Sequence, residues 1–304
     1  MTEKIKLSGV PETMLQTLYA RAKESKGRGV IHDEKAEEIA DRLDYDFSLA
    51  DKDTAMQSGV IARTIYDVIF VAVRYTQTQS VTDALRANKT KNIIFAGNNV
   101  RTSPLSASLP DKNVMFAFAV SAGHRDADKA VSVDLHRITV GPSCGAPDCR
   151  ELTDRIFAGT KYKVIYEPNM EDYLLCHAAF VIPSVFACYK TGGNLKKLRK
   201  NNTYLNRLID ANIEGYRAIR NAWHEILPSE DKDFESSAYR KTCFRFFKLM
   251  CATSLGKICA SDHALNAVDE MRAPDRDLKE FFDENGAEYP VWKELEKDTG
   301  GYLK

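Results

Sequence analysis

The stretch Glu167–Leu195, EPNMEDYLLCHAAFVIPSVFACYKTGGNL, decides how the rest of the chain is read. Asn169 can accept a hydrogen bond from the backbone N–H of Asp172, and Glu171 and Asp172 suit the positive end of a helix dipole. From Leu174 to Ala187 nearly every residue is apolar, on every face, so the helix predicted here is buried all round. The run is shorter than the ~20 apolar residues of a membrane span. Pro183 removes one backbone bond inside it and predicts a kink. Gly192 and Gly193 supply the stop. The stretch reads as the central helix of a helical C-terminal domain.

The chain has 304 residues, room for two domains at ~100–200 residues each. Lys+Arg and Asp+Glu both number 43. That balance argues against nucleic acid or an anionic membrane as the main partner. The opening MTEKIKLSGVPETM lacks the apolar core of a signal peptide. Seven cysteines, an odd number spread along the chain, fit reduced thiols in a cytoplasm. Cys144 and Cys149 are the one close pair. Their spacing matches no standard zinc pattern, so they read as loop thiols and no metal is expected.

The front of the chain, residues 1–66, reads as helices. Leu15, Leu18, Tyr19 and Ala22 recur at helical spacing after Pro11. Asp33 can cap a second helix, DEKAEEIADRL, and a third amphipathic stretch covers 53–66. The words Leu7-Ser-Gly-Val-Pro-Glu-Thr-Met-Leu15, Tyr19–Ser25, Asp44–Phe47, Gly59-Val60 and Arg63-Thr64 resemble the N-terminal helical lid of the leucine carboxyl and polyketide O-methyltransferase family. That resemblance implies S-adenosylmethionine, with an arginine near Arg63 on its carboxylate. The strand and glycine-rich turn that such an enzyme needs next do not follow.

Instead a continuous apolar strand, VIFVAV, begins at Val68, of the kind buried in parallel sheets. A short helix over SVTDALRANK and a second strand at Asn92–Ala96 complete a strand–helix–strand unit. Further strands are predicted at Val114–Val120, Ala130–Asp134, Arg137–Gly141 and Lys161–Tyr166. After the central helix come a long amphipathic helix from Asn201, an apolar helix over Phe244–Ala260, one capped by Ser261 and a last one over Asp275–Asn285, with Trp292 packing the end down. The order of these pieces resembles the ketopantoate reductase (2-dehydropantoate 2-reductase) family from about Asp67 onward. The resemblance rests on Val73-Arg74-Tyr-Thr-Gln77, Gly97-Asn98-Asn99, Phe116–Gly123, Ile138–Gly141, the Pro183 helix, and His263-Ala264 with Asp269-Glu270-Met271.

The expected fold is α/β plus all-α: a short helical segment (1–66), a truncated Rossmann-like parallel sheet (67–166), then a helical domain (167–304). The resemblance implies NADPH-dependent reduction of a small 2-keto acid or related ketone. Cofactor contacts fall to Arg74, Gln77 and Asn98, and catalytic roles to Glu270, Asn98 and His177. Each has a plainer reading beside it. Asn98 also suits a turn; Arg74 and Glu270 also read as solvated charges; His177 also reads as a satisfied core histidine. The family's lysine early in the central helix is absent: Leu174-Leu175-Cys176-His177 stands there. So is the family's first strand with its G-x-G-x-x-G turn, whose backbone cradles a pyrophosphate. Gly27-Arg28-Gly29 lies between helices. Two other readings therefore stay open: a reductase fold without turnover, acting as a binding protein, and a methyltransferase-like protein. A sheet without its first strands exposes an edge at Val68–Val73, which the N-terminal helices or a second subunit in a homodimer would cover.

Overall fold

A computed structural model describes residues 3–4, 10–27, 33–48, 68–126 and 129–302. The expected third N-terminal helix over 53–66, with Gly59, Val60, Arg63 and Thr64, lies outside the described residues, as does Gly29. The chain divides into two units, 1–69 with 90–92, and 70–89 with 93–304.

The first unit holds α1 (Val10–Lys26) and α2 (Glu34–Arg42) with a short parallel pairing of β1 (Glu3–Lys4) and β2 (Leu43–Asp44). Asp33 caps α2, its carboxylate accepting from the backbone N–H of Ala36 at 2.9 Å. It also pairs with Arg21. Tyr19 stacks on Phe47.

A five-stranded sheet comes next along the chain, in the order β3 (Val68–Val71), β4 (Asn92–Ala96), β5 (Asn113–Asp126), β6 (Lys129–Pro142) and β7 (Lys163–Tyr166). Helix α3 (Thr82–Ala87) lies between β3 and β4 in sequence, as predicted. Helices α4 (Thr102–Ala107) and α5 (Arg150–Phe157) follow β4 and β6. The pairing β6–β7 is parallel. The pairing β5–β6 is antiparallel, a long hairpin in place of the separate strands read from the sequence. The break expected between Asp134 and Arg137 is a bulge within one strand. His136 sits there at φ 53°, its N–H held by the Asp134 carboxylate at 2.8 Å. A bulge leaves extra residues unpaired and ends local alternation, which in a sequence looks like a strand end. Gly141 is required: a Cβ there would meet the Glu167 carbonyl oxygen at 1.7 Å.

The helical region begins with α6 (Met170–Lys190), the core of the Glu167–Leu195 stretch. Asn169 caps it, accepting from the Asp172 N–H at 3.2 Å. At 21 residues it is long and apolar enough to cross a membrane by composition, more than the bare apolar run suggested, yet 72% of its most apolar window is buried within the fold. Its apolarity serves the core. Around it lie α7 (Leu195–Lys200), α8 (Asn202–Asn221), α9 (Ser237–Met250), α10 (Val268–Glu284) and α11 (Pro290–Lys297). The helix expected over Phe244–Ala260 ends at Met250. Beyond it Ser254–Gly256 leads into a π-helical turn, Lys257–Asp262, and then His263–Asn266. Ser261 lies inside that turn and donates to the Gly193 carbonyl at 3.0 Å instead of capping a helix. The helix expected from Asp275 starts earlier, at Val268, and runs through Pro274.

Pro183 cannot donate to the Ala179 carbonyl four residues before it. Asn212 of α8 does so instead, through its side-chain amide at 3.4 Å, while its carbonyl accepts from the Tyr239 hydroxyl at 2.6 Å. Gly215 lets α8 approach closely, since a Cβ there would lie 3.0 Å from the Ala179 Cβ. Trp292 is fully buried, edge-on to Phe186 and Phe282. Glu214 accepts from the backbone N–H groups of Val291 and Trp292, closing the open N-terminus of α11.

Candidate active site

A cavity of about 850 Å³ opens at the carboxyl ends of β3 and β4, the place where α/β sheets present ligands. Its lining includes Arg74, Asn98, His177, His263 and Glu270. Three local features put them there. After β3 the chain turns at Arg74 into a single 3₁₀ turn, Tyr75–Gln77. After β4, Gly97 adopts φ 131°, which favours glycine, and its N–H bonds the Ala117 carbonyl at 2.9 Å. Asn99 folds back on the Gly97 carbonyl through both its backbone and its side chain, so Asn98 is presented at the tip. Third, α10 ties down both tips. The Tyr75 hydroxyl bonds the Asp277 carboxylate at 2.5 Å, and Arg101 reaches Glu280 at 3.3 Å and Glu284 at 3.4 Å. Burial and the Asp277 carboxylate push the Tyr75 hydroxyl well above its ordinary range, so it stays protonated.

Glu270 lies in the first turn of α10. Pro274 offers no N–H to its carbonyl, which loosens the helix at that point. Its carboxylate pairs with Arg74 across the mouth at 3.2 Å. Arg74 is mostly exposed and Glu270 about one-third so, which makes the pair a movable clamp rather than a large source of stability. Asn98 is half-buried, and its side-chain oxygen is fully enclosed with no hydrogen-bond partner. Buried polar atoms are nearly always satisfied, so this enclosed orphan is an acceptor whose pairing the protein itself leaves undone.

His177 stands on α6 with its ring 4.1 Å from Phe118 and parallel to Tyr173. Burial pushes its pKa down to about 4. At neutral pH it is uncharged, so it can hydrogen-bond a carbonyl but holds no proton to give as a cation. Gln77 does not line the cavity. It is exposed, and its side-chain oxygen accepts from the Arg74 N–H at 3.3 Å. Arg74, Asn98, His177 and Glu270 thus share one cavity while Gln77 supports Arg74 from outside. Phe118, His263 and the π-helical wall escaped the sequence reading. His263 belongs to the reductase-like pattern around Asp269-Glu270-Met271, which was the one signal available for it.

The residues fit one end of a nicotinamide cofactor. The Asn98 amide can hold a carboxamide or ribose hydroxyl, and the orphaned oxygen is the observation that favours this. A phosphate cradle is not found among the described residues, where both candidate cations near the tips, Arg74 and Arg101, already pair with carboxylates.

No protein-family profile matches this chain. Among solved structures, a dimeric ketopantoate reductase from Staphylococcus aureus aligns with a TM-score of 0.57 at 15% identity, over 78% of each chain. The 2-dehydropantoate 2-reductase of Geobacter metallireducens GS-15 aligns with a TM-score of 0.56 at 12% identity, over 77% of this chain and 76% of its own. D-mandelate dehydrogenase in complex with NADH gives 0.56 at 12% identity, over 78% and 79%. The tetracenomycin polyketide synthesis O-methyltransferase TcmP of Streptomyces glaucescens is 53% identical over 49 residues, which is 16% of this chain and 18% of that enzyme. The chain therefore matches less than a fifth of the methyltransferase's length, and its fold is the one these reductases share, a Rossmann-like sheet followed by a helical C-terminal region.

Proposed function

We propose that the chain is a ketopantoate-reductase-like oxidoreductase that reduces a small 2-oxo acid or related ketone with NADPH. The observation that carries this reading is the Arg74–Glu270 pair lining the same cavity as Asn98, whose side-chain oxygen has no partner, beside two strand ends. The cofactor, when bound, supplies the hydride. Arg74, which meets Glu270 through its Nε, turns the rest of its planar fork of donors to the negatively charged end of the cofactor or substrate. Asn98 orients the nicotinamide end or the substrate oxygen. Neutral His177 donates its N–H toward the carbonyl, and Glu270 accepts from the hydroxyl of the product. With no lysine early in α6, where Leu174, Leu175, Cys176 and His177 stand, the proton that completes the alkoxide arrives from solvent through the open cavity.

The test is NADPH oxidation with a panel of 2-oxo acids. Turnover is expected, and Glu270→Ala should reduce kcat/KM by at least ~10-fold, the scale of one hydrogen bond to a charged acceptor. No turnover with any acid at millimolar cofactor would remove the reading. The dimeric state of the Staphylococcus aureus enzyme suggests a homodimer here, checked by sedimentation.

A second reading is a ligand-binding protein with the reductase fold and no turnover. Two observations favour it: His177 is uncharged at neutral pH, and the described residues hold no phosphate cradle. Ligand-dependent thermal stabilisation without NADPH oxidation would select it.

A further inference from the structure

A second recess, of about 860 Å³, is built from α7, the end of α9 and the segment that follows it. Its lining takes no residue from the sheet, so it is not the cradle that a dinucleotide's phosphates would need at the strand tips. Five of its lining side chains are cations: Lys196, Arg199, Lys200, Lys248 and Lys257. Among the described residues no Asp or Glu lines it. Cations on the surrounding helices behave differently. Lys190 pairs with Asp298, Arg207 with Glu294 and Arg240 with Asp210.

The sequence explains how the cations converge. In α7, LKKLRK, Leu195 and Leu198 turn into the core. That leaves Lys196, Arg199 and Lys200, spaced three and four residues apart, together on one outer face. Like charges at this spacing weaken a helix. The helix dipole accounts for cations in a last turn, but not for Lys196 in the first, nor for Lys248 and Lys257 from other elements. Lys248 is half-buried, and its ammonium donates to the Arg199 carbonyl, which ties α9 to the end of α7. The other four cations are exposed. The buried Cys251 thiol in the lining registers the cluster: burial pushes its pKa up, while Lys248 and Arg199 pull it down. A concave surface focuses the field of such charges on whatever enters it.

We propose that this recess binds a compact polyphosphate, free or as the triphosphate of a nucleotide. A single phosphate group carries about two charges near neutral pH, too few to balance the five cations; a chain of phosphates carries enough. The lysines act as point charges on phosphate oxygens, Arg199 adds a bidentate fork, and the exposed Ser254 hydroxyl in the lining is a neutral donor. The site owes nothing to the reductase reading, because it shares no charged residue with the first cavity.

Calorimetry at low ionic strength with tripolyphosphate, ATP and citrate, all without magnesium, tests the site by binding alone. Tripolyphosphate should bind one per chain, with an affinity that falls as salt is added. The double variant Arg199→Gln/Lys200→Gln removes two exposed charges and should weaken tripolyphosphate by at least ~10-fold, the worth of one charge-assisted hydrogen bond. Lys161→Gln/Lys163→Gln removes the same charge from exposed positions at β7 and should leave the affinity unchanged. Equal affinities for tripolyphosphate and ATP would support recognition of the phosphate chain itself, and tighter binding of ATP would support a nucleotide as its source. Absence of saturable binding of either at millimolar concentration would overturn the site. So would binding untouched by the Arg199/Lys200 variant, equal weakening by both variants, which is the response of net charge alone, or citrate binding as tightly as tripolyphosphate.

Discussion

Two asparagines separate the helical core from the cavity mouth. Asn212 is 1% exposed and uses both ends of its amide, accepting from Tyr239 and donating to the carbonyl that Pro183 leaves open. Asn98 encloses its side-chain oxygen and gives it no partner. One amide is consumed by the fold, and the other is held ready for something outside it. The same division recurs with two histidines. His224 is locked to the Asp172 carboxylate at 2.5 Å, which also accepts from the Glu225 N–H at 2.7 Å. His177 has aromatic rings for neighbours and a depressed pKa. In these two pairs the member that builds the structure is paired, and the member beside the cavity keeps capacity unused.

The largest effect that could break this comparison belongs to Asn212→Ala. It strands the Tyr239 hydroxyl and the Ala179 carbonyl together, and each orphan costs ~1–3 kcal/mol, so a loss of about 2–4 kcal/mol is expected in urea unfolding. A loss near zero would mean that the carbonyl freed by Pro183 needs no partner.

His177 should make the protein acid-sensitive. Its folded pKa, about 4, lies below the ordinary histidine value near 6.5, so the unfolded chain binds the proton first. Stability from this group is complete above about pH 6.5 and falls as the pH drops toward 4, by at most about 3 kcal/mol. His177→Phe should flatten that slope in melts taken between pH 7 and 4. An unchanged slope would show a solvated, ordinary imidazole.

His224 should behave in the opposite sense. The hydrogen bond to Asp172 raises its folded pKa, so its stabilisation is present in full below the unfolded value and is lost as the pH rises through the folded one. His224→Ala should cost ~1–2 kcal/mol at pH 6 and less at pH 9, because Asp172 keeps its bonds from Asn169 and Glu225. A cost that grows with pH would reverse the assignment.

These contrasts bear on what the sequence made legible. The central helix, its Asn169 cap and the backbone bond missing at Pro183 were readable because each is local: an unbroken apolar run, a capping residue and a ring without an N–H. Asn212 was not, since its partners lie in other helices and only packing brings them together. The β5–β6 hairpin was hidden by the bulge at His136, which imitates a strand end. Arg74, Asn98 and Glu270 came from a family resemblance, and the fold brings all three to one cavity, with Arg74 and Glu270 in contact. Gln77 came from the same source and lies outside it.

The smallest expected stability effect is the most telling. Asn98→Ala deletes a buried acceptor that has no bond to lose, so unfolding free energy should change by less than about 0.5 kcal/mol, or improve slightly, since an unsatisfied buried group already carries a cost. The same substitution should weaken NADPH binding by ~10-fold or more, the worth of one hydrogen bond to a positioned partner. Urea unfolding and fluorescence titration on the one variant measure both. A substantial loss of stability with unchanged binding would make Asn98 a second Asn212, and the distinction between the core and the mouth would collapse at the residue on which it rests most heavily.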